Sequence, residues 1–188
     1  MDVNKRIEEL KIVPVVVLQD ADDALPLAEA LIKGGLPLAE VTFRTEAAEE
    51  SIRRISGRFP EMLVGAGTVS SVEQAVRAVD AGAEFLVSAG FQTDIIEFAQ
   101  KKGVPVFPGV CTPTELMLLA KHGLQVAKFF PAEQYGGLKT IRALSGPFPQ
   151  MRFMPTGGIN KSLSGGAKSH SLRRQLDGQR QFDPGEKV

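Results

Sequence analysis

Ile12-Val13-Pro14-Val15-Val16-Val17-Leu18-Gln19-Asp20-Ala21-Asp22-Asp23 decides the architecture of this chain. The first part is apolar and rich in β-branched residues, as a buried strand requires. The second part is an acidic turn without a glycine. An open doubly wound sheet usually follows its first strand with a Gly-rich phosphate loop, so this turn speaks against that fold. Similar runs recur at 38–43, 63–67, 85–88, 104–107, 126–130 and 152–156, with helix-length segments between them. Single helices between successive strands make parallel βαβ units. Polar residues gather at the C-terminal ends of several of these runs, where (β/α)8 barrels keep their chemistry. The predicted fold is α/β, a (β/α)8 TIM-type barrel.

Helix starts and stops fit that reading. Ser70-Ser71-Val72-Glu73 and Thr112-Pro113-Thr114-Glu115 carry the capping-box pattern, the second with proline at the first helical position. Asp20 and Thr93 are expected N-caps, and Gly34-Gly35, Gly82, Gly103 and Gly123 fall where helices should stop.

The chain has 188 residues, a length for one domain, and balances 22 Lys+Arg against 22 Asp+Glu. No net field draws it to nucleic acid or a membrane surface. Its single cysteine, Cys111, excludes an internal disulfide and fits a reducing compartment. The apolar run 12–18 is too short to span a bilayer, and the N-terminal residues lack a signal-peptide pattern. The expectation is a cytoplasmic protein.

The two-residue strand period sorts the polar residues by face. Glu40, Thr42 and Arg44 share one face of the second run; Val126, Lys128 and Phe130 share one face of the sixth. Small apolar residues occupy the opposite faces and suit a helix-packed exterior, so the polar sets are expected in the lumen. Lys128 is surrounded by Val126, Ala127, Phe129 and Phe130. Burying its ammonium disfavours the charged form, and a neutral amine attacks carbonyls. The alternative is a strand-end lysine whose head reaches water. Glu40 is the candidate general acid/base, or else a structural partner of Arg44 or Lys128. Arg44 could grip a carboxylate or phosphate, or answer Glu46.

Thr68 ends the third run beside Gly65 and Gly67, glycines that let a ligand or neighbouring backbone approach. Thr156, Gly157 and Gly158 end the seventh run, in the barrel position favoured for phosphate. His122 reads as a helix-end residue, and Cys111 as a small buried filler. No metal-ligand spacing involves His122 or His170.

Taken in order, Ala39-Glu40-Val41-Thr42-Phe43-Arg44-Thr45-Glu46, Gly65-Ala66-Gly67-Thr68-Val69, Ala127-Lys128-Phe129-Phe130-Pro131-Ala132-Glu133 and Pro155-Thr156-Gly157-Gly158-Ile159 resemble bacterial 2-keto-3-deoxy-6-phosphogluconate (KDPG) aldolase, also described as 4-hydroxy-2-oxoglutarate aldolase. The likeness runs from about residue 7 to Asn160. It implies a cofactor-free and metal-free class I aldolase of the Entner–Doudoroff route, typically a homotrimer. Its substrate would be a small 2-keto acid sugar phosphate, split into pyruvate and glyceraldehyde 3-phosphate. By carry-over, Lys128 forms the imine and Glu40 moves protons. Arg44 and Thr68 hold the pyruvate carboxylate, Phe130 walls the pocket, Thr156 lines it, and Gly157 and Gly158 receive the phosphate. The phosphogalactonate aldolases are close competitors. One departure is Ser88-Ala89-Gly90, where relatives often carry Ser-Pro-Gly.

From Lys161 the sequence becomes basic and rich in Ser, Gly, Gln and Arg, without strand alternation or an apolar helical stripe. The expectation is a catalytic barrel over 1–160 with about seven βα units, its eighth strand missing, and a disordered tail over 161–188. Such an incomplete chain has a rival reading as an inactive or unstable fragment of an aldolase.

Overall fold

Eight parallel strand segments form the wall of the fold: β1 (Val15–Val16), β2 (Leu38–Thr42), β3 (Leu63–Val69), β4 (Phe85–Ser88), β5 (Val106–Phe107), β6 (Gly109–Val110), β7 (Val126–Phe129) and β8 (Arg152–Pro155). This is a computed structural model, and it describes residues 2–159. The helices are α1 (Val3–Leu10), α2 (Ala24–Lys33), α3 (Ala48–Arg58), α4 (Val72–Asp80), α5 (Thr93–Lys102), α6 (Pro113–Lys121) and α7 (Gly137–Ser145), with a short 3-10 turn at Ala21–Asp23. The expectations for the tail, including its boundary and His170, lie outside the described residues.

The strands fall into two parallel sheets, ordered β1-β2-β3-β4-β5 and β6-β7-β8. The fifth run bridges them: β5 pairs with β4, and β6 pairs with β7. Pro108 lies between these halves and has no N–H to donate, but its carbonyl accepts from the Lys128 backbone N–H at 3.0 Å. The expected run at 104–107 is thus shorter at its start and continues past Pro108. The first run also pairs over less than its apolar length, because only Val15 and Val16 join β2. Among the described residues, nothing pairs with the outer edge of β1 or of β8, and the barrel is not closed.

Register confirms the division of faces. Leu38 pairs with Leu63, Glu40 with Gly65, and Gly65 with Phe85, while Lys128 pairs with Met154. This face carries the inner cluster of Leu38, Leu63, Phe85, Val87 and Phe107. Val3 of α1 joins the same cluster, so α1 covers its lower end. On the opposite face, Ala39, Val41, Val64, Ala66 and Leu86 pack against helices α2 to α5. Ala127, Phe129 and Phe153 pack against α6 and α7 in a separate outer cluster. Small residues such as Ala28, Ala75, Ala78 and Ala99 are completely buried, which lets the helices lie close to the sheet.

Thr112 and Glu115 form the expected capping box at the start of α6. At α4 the pairing is displaced by one residue: Ser71 accepts from the Gln74 N–H, and Gln74 reaches back to Ser70. Asp20 caps the 3-10 turn rather than α2. Thr93 is the first residue of α5, whose N-cap position belongs to Gln92.

Candidate active site

Glu40 in the middle of β2 and Lys128 near the end of β7 meet inside the wall. Their residues are 1% and 3% exposed, and Lys128 Nζ stands 3.8 Å from Glu40 Oε1. That is an ion-pair distance, longer than a hydrogen bond. Oε1 accepts no hydrogen bond among the described residues, although it is buried. Burial pushes the Glu40 carboxyl above its usual range, against the opposing pull of Lys128 and Arg44. Burial also lowers the Lys128 ammonium below its usual range; Glu40 counteracts this and Arg44 adds to it. The arrangement brings an amine that burial makes easier to deprotonate against a carboxyl that burial makes easier to protonate. The Phe130 ring lies 5.1 Å from Lys128 Nζ and forms one wall of this site.

Strand β3 leaves room for these groups because it presents no side chain at two inward positions. A Cβ at Gly65 would lie 2.2 Å from the Phe85 ring, and one at Gly67 would lie 2.1 Å from Glu40 Oε1. The sequence suggested approach by a ligand or backbone; what fills the space is an aromatic ring and the candidate acid/base. Gly65 and Gly67 do make room, as the sequence suggested, but the side chains that use it, Phe85 and Glu40, were not the expected occupants. The signal was the period-two spacing of the glycines, but their partners depend on inter-strand register.

Arg44 is exposed and donates Nε–H to Thr68 Oγ1 at 3.1 Å. It does not hydrogen-bond to Glu40; of the two partners named for Glu40, Lys128 stands at ion-pair distance and Arg44 bonds to Thr68 instead. Thr68 has φ +56°, a left-handed conformation that is costly for a β-branched residue. Thr42, on the inward face with Glu40, instead ties β2 to β1 by donating to the Val16 carbonyl at 3.0 Å.

Thr156 is half-buried beyond β8, followed by Gly157 and Gly158 at φ +94° and +72°. The Glu133 carboxylate, overlooked in sequence, crowds this turn: a Cβ at Gly158 would lie 2.0 Å from its Oε2. A phosphate approaching from that side would meet a negative charge. The Ser88-Ala89-Gly90 loop is braced by the Ser88 hydroxyl, which donates to the Gly90 carbonyl at 2.7 Å. Gly109 gives Ala89 its room, since a Cβ there would lie 2.0 Å from the Ala89 carbonyl oxygen.

Cys111 is half-buried rather than a fully buried filler, and burial together with the Glu115 carboxylate raises its thiol pKa. This disfavours a nucleophilic thiolate. His122 ends α6 at the C-cap, its ring 5.7 Å from Phe91. Among the described residues, no group of three or more His, Cys, Asp or Glu could hold a metal ion. No helix there is long and apolar enough to cross a membrane.

The model of the KDPG and KHG aldolase family matches residues 3–164. A 2-dehydro-3-deoxy-phosphogluconate aldolase of Haemophilus influenzae is 47% identical over 155 residues, covering 82% of this chain and 73% of that protein. The KHG/KDPG aldolase of Escherichia coli is 46% identical over 149 residues, covering 79% and 70%. The structure also superimposes on the Zymomonas mobilis ZM4 KDPG aldolase solved with 3-phosphoglycerate, with TM-score 0.84 and 40% identity over 88% of this chain and 79% of that one. The Legionella pneumophila KDPG aldolase, solved with pyruvate captured at low pH as a covalent carbinolamine intermediate, gives TM-score 0.82 and 41% identity over 85% and 78%. Matching sequence over most of the chain and a shared parallel α/β wall lead to one conclusion: this chain belongs to the KDPG and KHG aldolase family, whose members are carbon–carbon lyases.

Proposed function

We propose that this chain is a class I, Schiff-base aldolase that cleaves KDPG to pyruvate and glyceraldehyde 3-phosphate, with 4-hydroxy-2-oxoglutarate as a second substrate. The observation that carries this reading is the buried Lys128 amine, 3.8 Å from a Glu40 oxygen with no hydrogen-bond partner among the described residues. The carbinolamine captured in the Legionella pneumophila relative supports the same chemistry.

Lys128 Nζ attacks the C2 keto carbon of the substrate, giving a carbinolamine that loses water to form a protonated imine. A proton leaves the C4 hydroxyl, the C3–C4 bond breaks, and its electron pair moves through C3 into the imine. The aldehyde departs and leaves an enamine. Protonation at C3 and addition of water then release pyruvate and restore the amine. Glu40 is placed to take and return the protons, partly through water, because its carboxyl faces the amine from within a poorly solvated site. Arg44 and Thr68 hold the pyruvate carboxylate. Phe130 and Thr156 bound the pocket, and Gly157 and Gly158 receive the phosphate through backbone N–H groups. The enzyme needs no metal or cofactor in this scheme, and it works in the cytoplasm as a homotrimer.

Borohydride reduction in the presence of pyruvate, followed by peptide mass mapping, tests the central step. A pyruvyl adduct on Lys128 is expected. A folded sample that cleaves KDPG without such an adduct would contradict the mechanism, and one that does neither would contradict the function.

A further inference from the structure

Glu40 does not reach its place by its own rotamer alone, because the neighbouring strand has to yield. Gly65 is in register with Glu40, and Gly67 with Thr42. The Glu40 side chain crosses toward β3 and comes to rest over Gly67. A Cβ on Gly67 would lie 2.1 Å from Glu40 Oε1, 2.6 Å from Cγ and 2.7 Å from Cδ. Atoms do not share space at such distances, and Glu40 is 1% exposed, so it has little room to give way. The oxygen that would be displaced is the one facing Lys128 Nζ. Gly67 does not adopt a left-handed φ, so alanine fits its backbone and tests space alone.

We propose that Gly67 is a positioning residue: the side chain it lacks is the space in which the Glu40 carboxyl faces Lys128. This inference rests on the acid/base role assigned to Glu40 above. Alanine at position 67 pushes the carboxyl off the amine while leaving Lys128, Arg44 and Thr68 unchanged in identity. The amine can still form an imine with pyruvate, but proton transfer during turnover is impaired.

The test compares Gly67→Ala, Glu40→Asp, the double variant Gly67→Ala/Glu40→Asp, and Glu40→Gln. Gly57→Ala is the control, because a Cβ there meets nothing within 4 Å. The readouts are kcat for KDPG cleavage against pH, and the yield of reduced pyruvyl adduct on Lys128 at saturating pyruvate. Gly67→Ala is expected to lower kcat by about 100-fold, the scale of general acid–base catalysis, while the adduct still forms. The acid limb of its kcat profile moves to lower pH as the carboxyl leaves its dry site. Glu40→Asp removes a methylene and makes room, so alanine at 67 costs less than about threefold in the aspartate background, compared with about 100-fold in the glutamate background.

A Gly67→Ala enzyme with kcat within about threefold of wild type, or equal losses in both backgrounds, would overturn the proposal while Glu40→Gln is inactive. Should Gly67→Ala fail to fold, the comparison of glycine and alanine in the aspartate background decides: similar activity supports the proposal, and a further loss of about 100-fold rejects it. Full activity in Glu40→Gln would instead remove the acid/base reading on which the inference stands.

Discussion

Replacing the buried pair together, as Lys128→Met/Glu40→Leu, should give a protein that is inactive and more stable than wild type. Both residues are almost fully buried, at 3% and 1% exposure, and their charged atoms are 3.8 Å apart. Desolvation is the dominant influence on each, opposing the charged form of both. Substituting well-packed hydrophobic residues of similar volume for a buried ion pair is often neutral or stabilising by about 1–4 kcal/mol. For a chain of this size each kcal/mol corresponds to about 2–4 °C in Tm. The single variant Lys128→Met separates the contributions. It removes a partner that draws the Glu40 carboxyl down, so the folded-state value rises further above the model-peptide 4.5. Between those two values the native state binds more protons than the unfolded state, and stability therefore falls as pH rises, by up to about 1.4 kcal/mol per pH unit. In wild type the same fall spans a narrower window. The lowered Lys128 value contributes stability that rises with pH as the range between its folded value and 10.5 is crossed. Urea unfolding followed by circular dichroism from pH 4.5 upward measures both effects. A double variant less stable than wild type, or a Lys128→Met profile parallel to wild type, would refute the assignment of this pair as a stability cost retained for chemistry.

Gly65→Ala should destabilise by about 1–3 kcal/mol through overpacking against the Phe85 ring, with part of the loss recovered by Phe85→Leu. Thermal unfolding checks this, and an unchanged Tm would count against the close contact. Arg44→Lys loses the directed Nε–H bond to Thr68 and should raise the pyruvate concentration for half-maximal borohydride trapping by about 10-fold, with the adduct retained at saturation. An unchanged concentration dependence would remove Arg44 from carboxylate binding. Glu133→Gln relieves the negative charge beside Gly158 and should lower KM for KDPG by about fivefold, the equivalent of a ~1 kcal/mol repulsion in water. Steady-state kinetics without that change would move the phosphate away from the Gly157-Gly158 turn.

The face assignments were legible because β-strands have a fixed period: Glu40 and Lys128 could be placed inward from their apolar neighbours alone. The Thr112–Glu115 cap was equally local. Other features depended on residues far apart in sequence. Gly67 gains its meaning from β2–β3 register, and Glu133 reaches Gly158 across a turn that strand patterning cannot fix. Arg44 shares the face of Glu40 and was a possible partner for it, yet it lies beyond the end of β2 and turns to Thr68. The seam at Pro108 follows from a missing donor, but which neighbour each half would select was not visible in the run itself.

That seam also divides the wall into two sheets. One half holds the sheet through β5 and the packing of α2 to α5; the other holds β6 to β8 with α6 and α7, and the outer clusters share Phe91 and Leu124 at their margin. Glu40 belongs to the first half and Lys128 to the second. Any opening that separated the two sheets would take the reactive centre apart even with each sheet intact, so amide exchange need not be uniform for activity to disappear. Lys128 is an unusual amine only where the two sheets enclose it beside Glu40; solvated in an unfolded chain it is an ordinary lysine with little appetite for carbonyl compounds.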